Sequence, residues 1–463
     1  MSDDQDHQDD SWRAELTVKI SQLKLPELAE DLVNFGRRKG ADEIEVSILD
    51  GYEFSVDVRL GKVENLVEAG SRALGLRVIK GNRTAFASSS DLSRETLERL
   101  VDNAVKRAEL SNPDEFSGLP SLTSKRVDIH SLNLFDPEIS KLDAKEKIVL
   151  ALETERIALE DKRITNSHGA SFETKEIKTV LANSNGFLQE YKETIYGLSL
   201  GLQAGETNDR VEGFWFSTKR HFHELEPPEE VARTAVWRTV RQLHPRKIKT
   251  QKVPVVFEPM MTSWLLGFLV VCVSGVSVYQ KTSFLSGRLG EKIADIKVNV
   301  IDNGAMPGNL GTRPFDAEGV PCQRTVVIDK GTLKNYLCNT YAARKLKLKS
   351  TGNSAGTGVT PHNFYLEPGR FAPQKIISSL EKGMILIRTL GHGLNPVTGD
   401  ISRGAFGLWV EKGEVVYPVS EVTISGNLGE ILNDIEMIGN DLEFRSPVCG
   451  PTIQVRKLTV AGG

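Results

Sequence analysis

The chain has 463 residues, 39% of them hydrophobic and 26% charged, and its 58 Lys+Arg against 62 Asp+Glu leave a net charge of -4. At about 150 residues per domain that length has room for roughly three domains, and the composition excludes a disordered or collagen-like chain. So even a charge balance gives no general pull toward nucleic acid or an anionic membrane surface.

Residues 1–12 have neither a basic start nor an apolar run, so they read as a solvated acidic tail rather than a secretory leader. Residues 26–38 read as a helix, with Leu28, Leu32 and Phe35 near one face. Ile44, Val46 and Ile48 alternate as a strand. Asp50-Gly51 is a hairpin signal, and Phe54, Val56, Val58 and Leu60 are the expected return. Strands at 74–78 and 84–87 lead into an amphipathic helix over 93–110, and 111–140 reads as a long loop. Asp143 and Glu146 have the spacing of a capping box for a helix to about Leu159. Asn185-Gly186 joins strands at 172–183 and 187–203, a further strand covers 210–217, and Pro227-Pro228-Glu229-Glu230 opens a helix ending near Leu243. Helix, several strands, helix thus occurs twice before residue 244. That order suggests an internal duplication, although no residue-level repeat accompanies it.

The basic, proline-containing run at 244–252 reads as a linker, which sets an N-terminal α+β domain at 13–243 apart from a C-terminal domain at 253–463. After a strand at 253–257, the chain carries no charge from Pro259 to Gln280. As a helix, the apolar part of this stretch would span about 24 Å, short of the roughly 30 Å hydrocarbon core of a bilayer. A helix buried in a globular domain is therefore expected, not a membrane span. Hairpins are expected around Asp329-Lys330-Gly331 and Glu411-Lys412-Gly413-Glu414, and a helix at 373–383. The second domain should be mostly antiparallel sheet and barrel-like, and the fold class α+β.

Cys272, Cys322, Cys338 and Cys449 form no C-x-x-C pair. That argues against a zinc ribbon, a thioredoxin-like motif and a dense disulfide framework, and it fits reduced thiols in the cytoplasm. Neither a G-x-x-x-x-G-K-[ST] phosphate cradle, an H-E-x-x-H zinc motif nor a G-x-S-x-G nucleophile elbow occurs. His221 and His223 could share a strand face, but the local sequence supplies no third ligand. One stretch is denser in glycine and polar residues than a core needs: Gly391-His-Gly-Leu-Asn-Pro-Val-Thr-Gly-Asp-Ile-Ser-Arg-Gly-Ala-Phe-Gly407. His392, Asn395, Thr398, Asp400, Ser402 and Arg403 could converge there on a ligand, with glycines letting backbone approach backbone. The alternative is an elaborate loop that satisfies its own polar groups.

Continued through Leu-Trp-Val-Glu-Lys-Gly-Glu-Val-Val-Tyr-Pro-Val419, this stretch resembles the TldD/PmbA family, closest to its PmbA branch, also called TldE. Arg313-Pro-Phe-Asp-Ala-Glu-Gly319, Tyr341-Ala-Ala-Arg-Lys345, Ser350-Thr-Gly-Asn353, Ile424-Ser-Gly-Asn-Leu428 and Ile438-Gly-Asn-Asp441 extend the likeness over most of 253–450. The N-terminal half resembles the family only in its order of elements and in scattered residues such as Leu74-Gly-Leu-Arg-Val. The resemblance implies a two-domain protein linked to cytosolic proteolysis and peptide maturation, and historically to modulation of DNA gyrase. In that family a TldD-type subunit carries zinc on an H-E-x-x-x-H helix, with a late Cys as third ligand. It pairs with a PmbA-type subunit, and the substrate peptide enters as an extended strand.

Alignment on Thr282-Ser283 sets H-E-x-x-x-H over Leu266-Gly-Phe-Leu-Val-Val271. Leu266 and Val271 then stand where the family has histidines and Gly267 where it has the general base. None of the three can bind zinc or move a proton, and such apolar residues can pack as an ordinary core helix. Cys449 could be a relic of the Cys ligand. The resemblance therefore implies a non-catalytic partner, inactive alone and holding no cofactor, with zinc in a TldD-like subunit. It implies a heterodimer with that subunit or a homodimer, with His392, Asn395, Asp400 and Arg403 as candidate contacts to an extended peptide. Direct nucleic-acid binding and membrane association are not expected, and the location is expected to be the cytoplasm. Two alternatives stand: a peptidase in its own right with an unrecognised site, or a module that binds another protein, gyrase among them.

Overall fold

The protein is described from a computed structural model covering residues 24–121, 127–206 and 209–462; the acidic tail expected at 1–12 lies outside the described residues. Helix α1 (Leu25–Arg38) is followed by β1 (Glu43–Arg59), β2 (Lys62–Lys80), β3 (Arg83–Ser89) and α2 (Arg94–Leu110). The order then recurs as α3 (Ala144–Leu159), β4 (Ile164–Asn183), β5 (Leu188–Ala204), β6 (Val211–Lys219) and α4 (Pro228–Val240). Both halves of the Asp143–Glu146 capping box are formed at α3. The strand order is β3-β2-β1-β4-β5-β6, so helix, three strands, helix does occur twice.

The hairpin expected at Asp50-Gly51 does not form, and β1 runs straight through it. Its buried apolar residues keep to even positions from Ile44 to Val58, so a single strand already presents a single core face. Arg72 Nε holds Asp50 at 2.8 Å on the neighbouring strand. The turn falls instead at Leu60-Gly61, both with positive φ (49° and 74°). There the buried carboxylate of Glu155 accepts both backbone N–H groups, at 3.0 and 2.8 Å.

The chain divides into two compact units. One comprises the described parts of Met1–Gly51, Gly70–Ser124 and Ile177–Lys192, the other those of Tyr52–Ala69, Lys125–Glu176 and Glu193–Gly463. The first unit packs Leu32, Ile44, Val46, Leu76, Leu97 and Val101 into its core. Within the second, one core gathers Phe54, Phe172, Tyr196, Leu200 and Val231, and a larger one belongs to the C-terminal region. At 244–252, Arg246 lies over the Tyr417 ring at 4.6 Å and Ile248 is buried.

The C-terminal region begins with β7 (Gln251–Phe257), α5 (Pro259–Val273) and α6 (Gly275–Tyr279). The single helix expected over the uncharged stretch is thus two, broken at Ser274, which bridges to Leu337. The Gly275 N–H donates to the Leu337 carbonyl at 2.7 Å. A Cβ at Gly275 would stand 2.6 Å from Cys338 Sγ, so the break lies where two backbones pass closely. Among the described residues no helix is long and apolar enough to cross a membrane. There follow β8 (Val300–Asn303), β9 (Arg324–Asp329), β10 (Thr332–Leu333), α7 (Thr340–Leu346), β11 (Ser354–Ala355), β12 (Gly358–Val359), β13 (Asn363–Leu366) and α8 (Pro373–Ser378). The chain ends with β14 (Lys382–Leu390), β15 (Asp400–Glu411), β16 (Glu414–Asn427), α9 (Leu428–Asn433), β17 (Ile435–Ile438), β18 (Val448–Cys449) and β19 (Ile453–Ala461).

Strands β16-β15-β14-β7-β19 lie side by side, and β19 pairs back onto β16 through Thr423, Ile424 and Ser425. The ring is a closed five-stranded barrel, as the barrel-like expectation required, although its β14–β7 pair is parallel. A second sheet runs β10-β9-β8-β13-β18. Leu265, Leu266, Phe268, Leu269, Cys272 and Val273 of α5 join the barrel side chains in the large core.

Candidate functional site

Successive residues of an α-helix advance by about 100°. On α5 this places Met260, Ser263, Trp264, Gly267, Val270 and Val271 on the less buried, outward face; all are half-buried or exposed, with Met260, Trp264 and Val270 packed against the rim of the large core. Leu266 points the other way and is only 2% exposed, whereas Val271 is 46% exposed. The expectation that both would pack as ordinary core residues therefore fails for Val271. Its five-residue step from Leu266 turns it by about 140°. A Cβ on Gly267 would have nothing within 4 Å. The three aligned positions do not converge.

The segment at Cys449 lies against the first turns of the same helix. Ser263 Oγ accepts the Gly450 N–H at 3.2 Å and donates to the Pro259 carbonyl at 2.8 Å. A Cβ on Gly450 would overlap Thr262 and stand 3.1 Å from Leu266 Cδ1. Cys449 is 2% exposed, and its thiol donates to the Ser446 carbonyl at 3.0 Å. Leucine, glycine and valine offer no lone pair, so one engaged thiol is the only ligand atom these four positions supply. Among the described residues no group of three His, Cys, Asp or Glu side chains is placed to hold a metal. These residues do not fit zinc. His221, the other sequence candidate, is buried with Nε2 3.2 Å from the Asn133 carbonyl.

The glycine-rich stretch folds back onto the start of β15. Ser402 N–H donates to the Gly393 carbonyl at 2.8 Å, Asn395 N–H donates to the Asp400 carbonyl at 2.9 Å, and Leu394 bridges Ile401. Gly393 has φ +154°, and a Cβ there would overlap the Ser402 carbonyl oxygen, so only glycine fits the crossing. Asn395 Oδ1 accepts the Val397 N–H at 3.0 Å. The Asp400 carboxylate accepts from Asn427 Nδ2 at 3.0 Å and from the Thr398 hydroxyl at 2.7 Å. These two bonds, Asn427 first, hold it below the usual carboxylate range. Asn395 and Asp400 are thus occupied in building the loop.

His392 and Arg403 are not so occupied. His392 is exposed and makes no hydrogen bond or ion pair among the described residues. The Arg403 guanidinium lies over the Trp264 ring of α5, 5.0 Å from its centroid, and Nε reaches the Leu390 carbonyl at 3.4 Å. Trp264 and Asn427 are the participants that residue-by-residue reading missed. Trp264 lies within the uncharged stretch, where its spacing from Met260, Gly267 and Val271 marks the outward stripe. Asn427 stood inside the Ile424–Leu428 motif without a role.

Other motif segments meet in a buried polar network. His362 Nδ1 lies 3.0 Å and Asn353 Nδ2 2.7 Å from Asp302 Oδ2. Asp316 accepts the backbone N–H groups of Glu318, Val320 and Ser354. Its burial, with Glu318 beside it, pushes its carboxyl up to about 7. This network ties together the stretches at 313–319 and 350–353.

Three domains described for PmbA/TldA metallopeptidases match the chain: domain 1 over residues 44–108, the central domain over 137–243 and the C-terminal domain over 250–462. The chain is 36% identical over 423 residues to metalloprotease PmbA of Escherichia coli O157:H7, covering 91% of this chain and 93% of that one. It is 32% identical over 448 residues to a metalloprotease PmbA homolog of Haemophilus influenzae, covering 96% and 98% of the two. It shares its fold with the crystal structure of TldE from Thermococcus kodakarensis at a TM-score of 0.84 and 23% identity, over 94% of this chain and 100% of that one. With its whole run of domains matched, the chain belongs to the PmbA/TldD metallopeptidase family, in the PmbA branch.

Proposed function

We propose that this chain is the non-catalytic subunit of a heteromeric metallopeptidase, pairing with a TldD-type chain that carries H-E-x-x-x-H and zinc. One observation carries the reading. Gly267 and Val271 on the outward stripe of α5, and Leu266 in the core, stand at the three aligned positions, and none has a side-chain group that can bind zinc or move a proton. The names of its relatives support a metalloprotease setting. An extended peptide laid along the stripe would meet Trp264 and the loop at 391–403. Strand β18, last in its sheet and next to α5 through Gly450 and Ser263, would offer backbone for strand addition. Four free, buried thiols support a cytoplasmic setting.

The test is reconstitution. The purified chain is mixed with a family member bearing an intact H-E-x-x-x-H, and peptide cleavage is followed with and without a chelator. Cleavage in the mixture that exceeds either chain alone and that the chelator abolishes is expected, together with co-elution of the two chains. Two chains that neither co-elute nor alter each other's activity would overturn the reading.

A further inference from the structure

We infer that Arg403, held on Trp264, is a carboxylate-binding site on the peptide-facing surface. This rests on the peptide-contacting reading above and adds a substrate class to it: peptides that present a carboxylate at this point, from their C-terminus or from an acidic side chain.

Strand phase makes Arg403 stand out. Ile401 and Ala405, two residues to either side, are buried in the large core, as is its cross-strand partner Ile424. A charged side chain in that phase is costly unless it serves something, because the position suits an aliphatic one. Arg403 is also without a counter-ion: among the described residues no carboxylate lies within 4 Å of it. Asp400 stands three residues away in the strand, hence on the opposite face, and is committed to Asn427 and Thr398. Glu258, at the start of α5, is taken by Arg241 (2.6 Å) and Arg238 (3.3 Å). Burial alone lowers the Arg403 pKa, and no acid offsets it.

The surroundings hold the guanidinium ready. Trp264 supports its face, and Gly393 passes 3.5 Å from Cγ, measured to an ideal Cβ. The Ser402 N–H to Gly393 carbonyl hydrogen bond holds the loop against this part of β15. The guanidinium therefore stands without an acid at Trp264, one turn along α5 from Gly267, where a Cβ would have nothing within 4 Å. A guanidinium presents a fork of N–H donors matched to the two oxygens of a carboxylate, which a lysine does not.

The test measures anisotropy of short labelled peptides on the purified full chain. Three peptides share one sequence: an amidated neutral form, the same form with a free C-terminus, and an amidated form with one internal Glu. We expect one carboxylate form to bind about tenfold tighter than the neutral one. That gain should disappear in Arg403→Gln, which should bind the neutral and carboxylate forms with the same affinity. Which form gains identifies the source of the carboxylate. Arg403→Lys retains the charge and should retain only a small part of the gain, and it serves if the glutamine variant does not fold. Neutral peptide binding with no carboxylate gain, or a gain equal in wild type and both variants, overturns the inference and leaves the peptide-contacting reading standing. No binding of any peptide overturns both.

Discussion

The outward stripe of α5 and the loop at 391–403 meet where Arg403 covers Trp264, yet they follow opposite rules. The stripe is Met, Ser, Trp, Gly and Val, with no titratable group. The loop mixes Leu394, Pro396, Val397 and Ile401 with polar residues; its acid and amide are committed to internal hydrogen bonds, while His392 and Arg403 have no carboxylate partner among the described residues. One region carries no titratable side chain, and the other holds two basic side chains with no carboxylate partner among the described residues. The difference teaches that resemblance locates a site, whereas what the site can do must be read from the atoms present.

Substitutions can sharpen or break this contrast. The largest effect is expected from Gly393→Ala, where a Cβ would overlap the Ser402 carbonyl and φ is +154°. The loss should be about 3 kcal/mol by chemical denaturation, with the loop detached. A near-neutral result would mean that the loop tolerates another path. Leu266→His should cost about 2–4 kcal/mol, because it removes core packing and buries an imidazole, and it should recruit no zinc. Val271→His, on the exposed side, should stay within about 0.5 kcal/mol. Equal costs at the two positions would contradict the assignment of faces. Gly267→Ala has the opposite sign, since open space receives the Cβ and alanine favours the helix, so a gain of about 0.5–1 kcal/mol is expected.

Two further effects concern pH. Asp400 has a lowered folded pKa, so its contribution is complete above the unfolded value of about 4 and is lost as pH falls through the folded one. The amide resonances of Thr398, Asp400 and Asn427 should therefore stay constant from neutral pH to about 5 and move only in acid, while those of the α5 stripe do not follow. Movement between neutral pH and 5 would show that another group governs the loop. Asp316 works in the other sense. With its folded pKa raised to about 7, the folded state holds a proton that the unfolded state has released, so its contribution declines as pH rises from about 4 to 7.

Local chemistry was legible in the sequence. The Asp143–Glu146 capping box, the Asn185-Gly186 turn and the Lys412-Gly413 hairpin are short-range and formed as read. Asp50-Gly51 misled because turn propensity yields to a continuous apolar phase, and the turn that did form draws on Glu155, about a hundred residues away. The parallel β14–β7 pair and the β16–β19 closure depend on partners distant in the chain, which periodicity does not encode. In the candidate site, His392 and Arg403 were visible as residue types in a dense motif. That Asn395 and Asp400 serve the loop, and that Trp264 lies beneath Arg403, became visible only once β15 and α5 were side by side.

The central claim is that this chain contributes surface and not catalysis. The most direct measurement is zinc content by elemental analysis of the isolated chain, purified without chelator, beside a peptidase assay of the same sample. We expect well under one zinc per chain and no cleavage above background, with thermal stability unchanged by chelator. About one zinc per chain with chelator-sensitive cleavage would contradict the claim and place a catalytic site elsewhere in this chain.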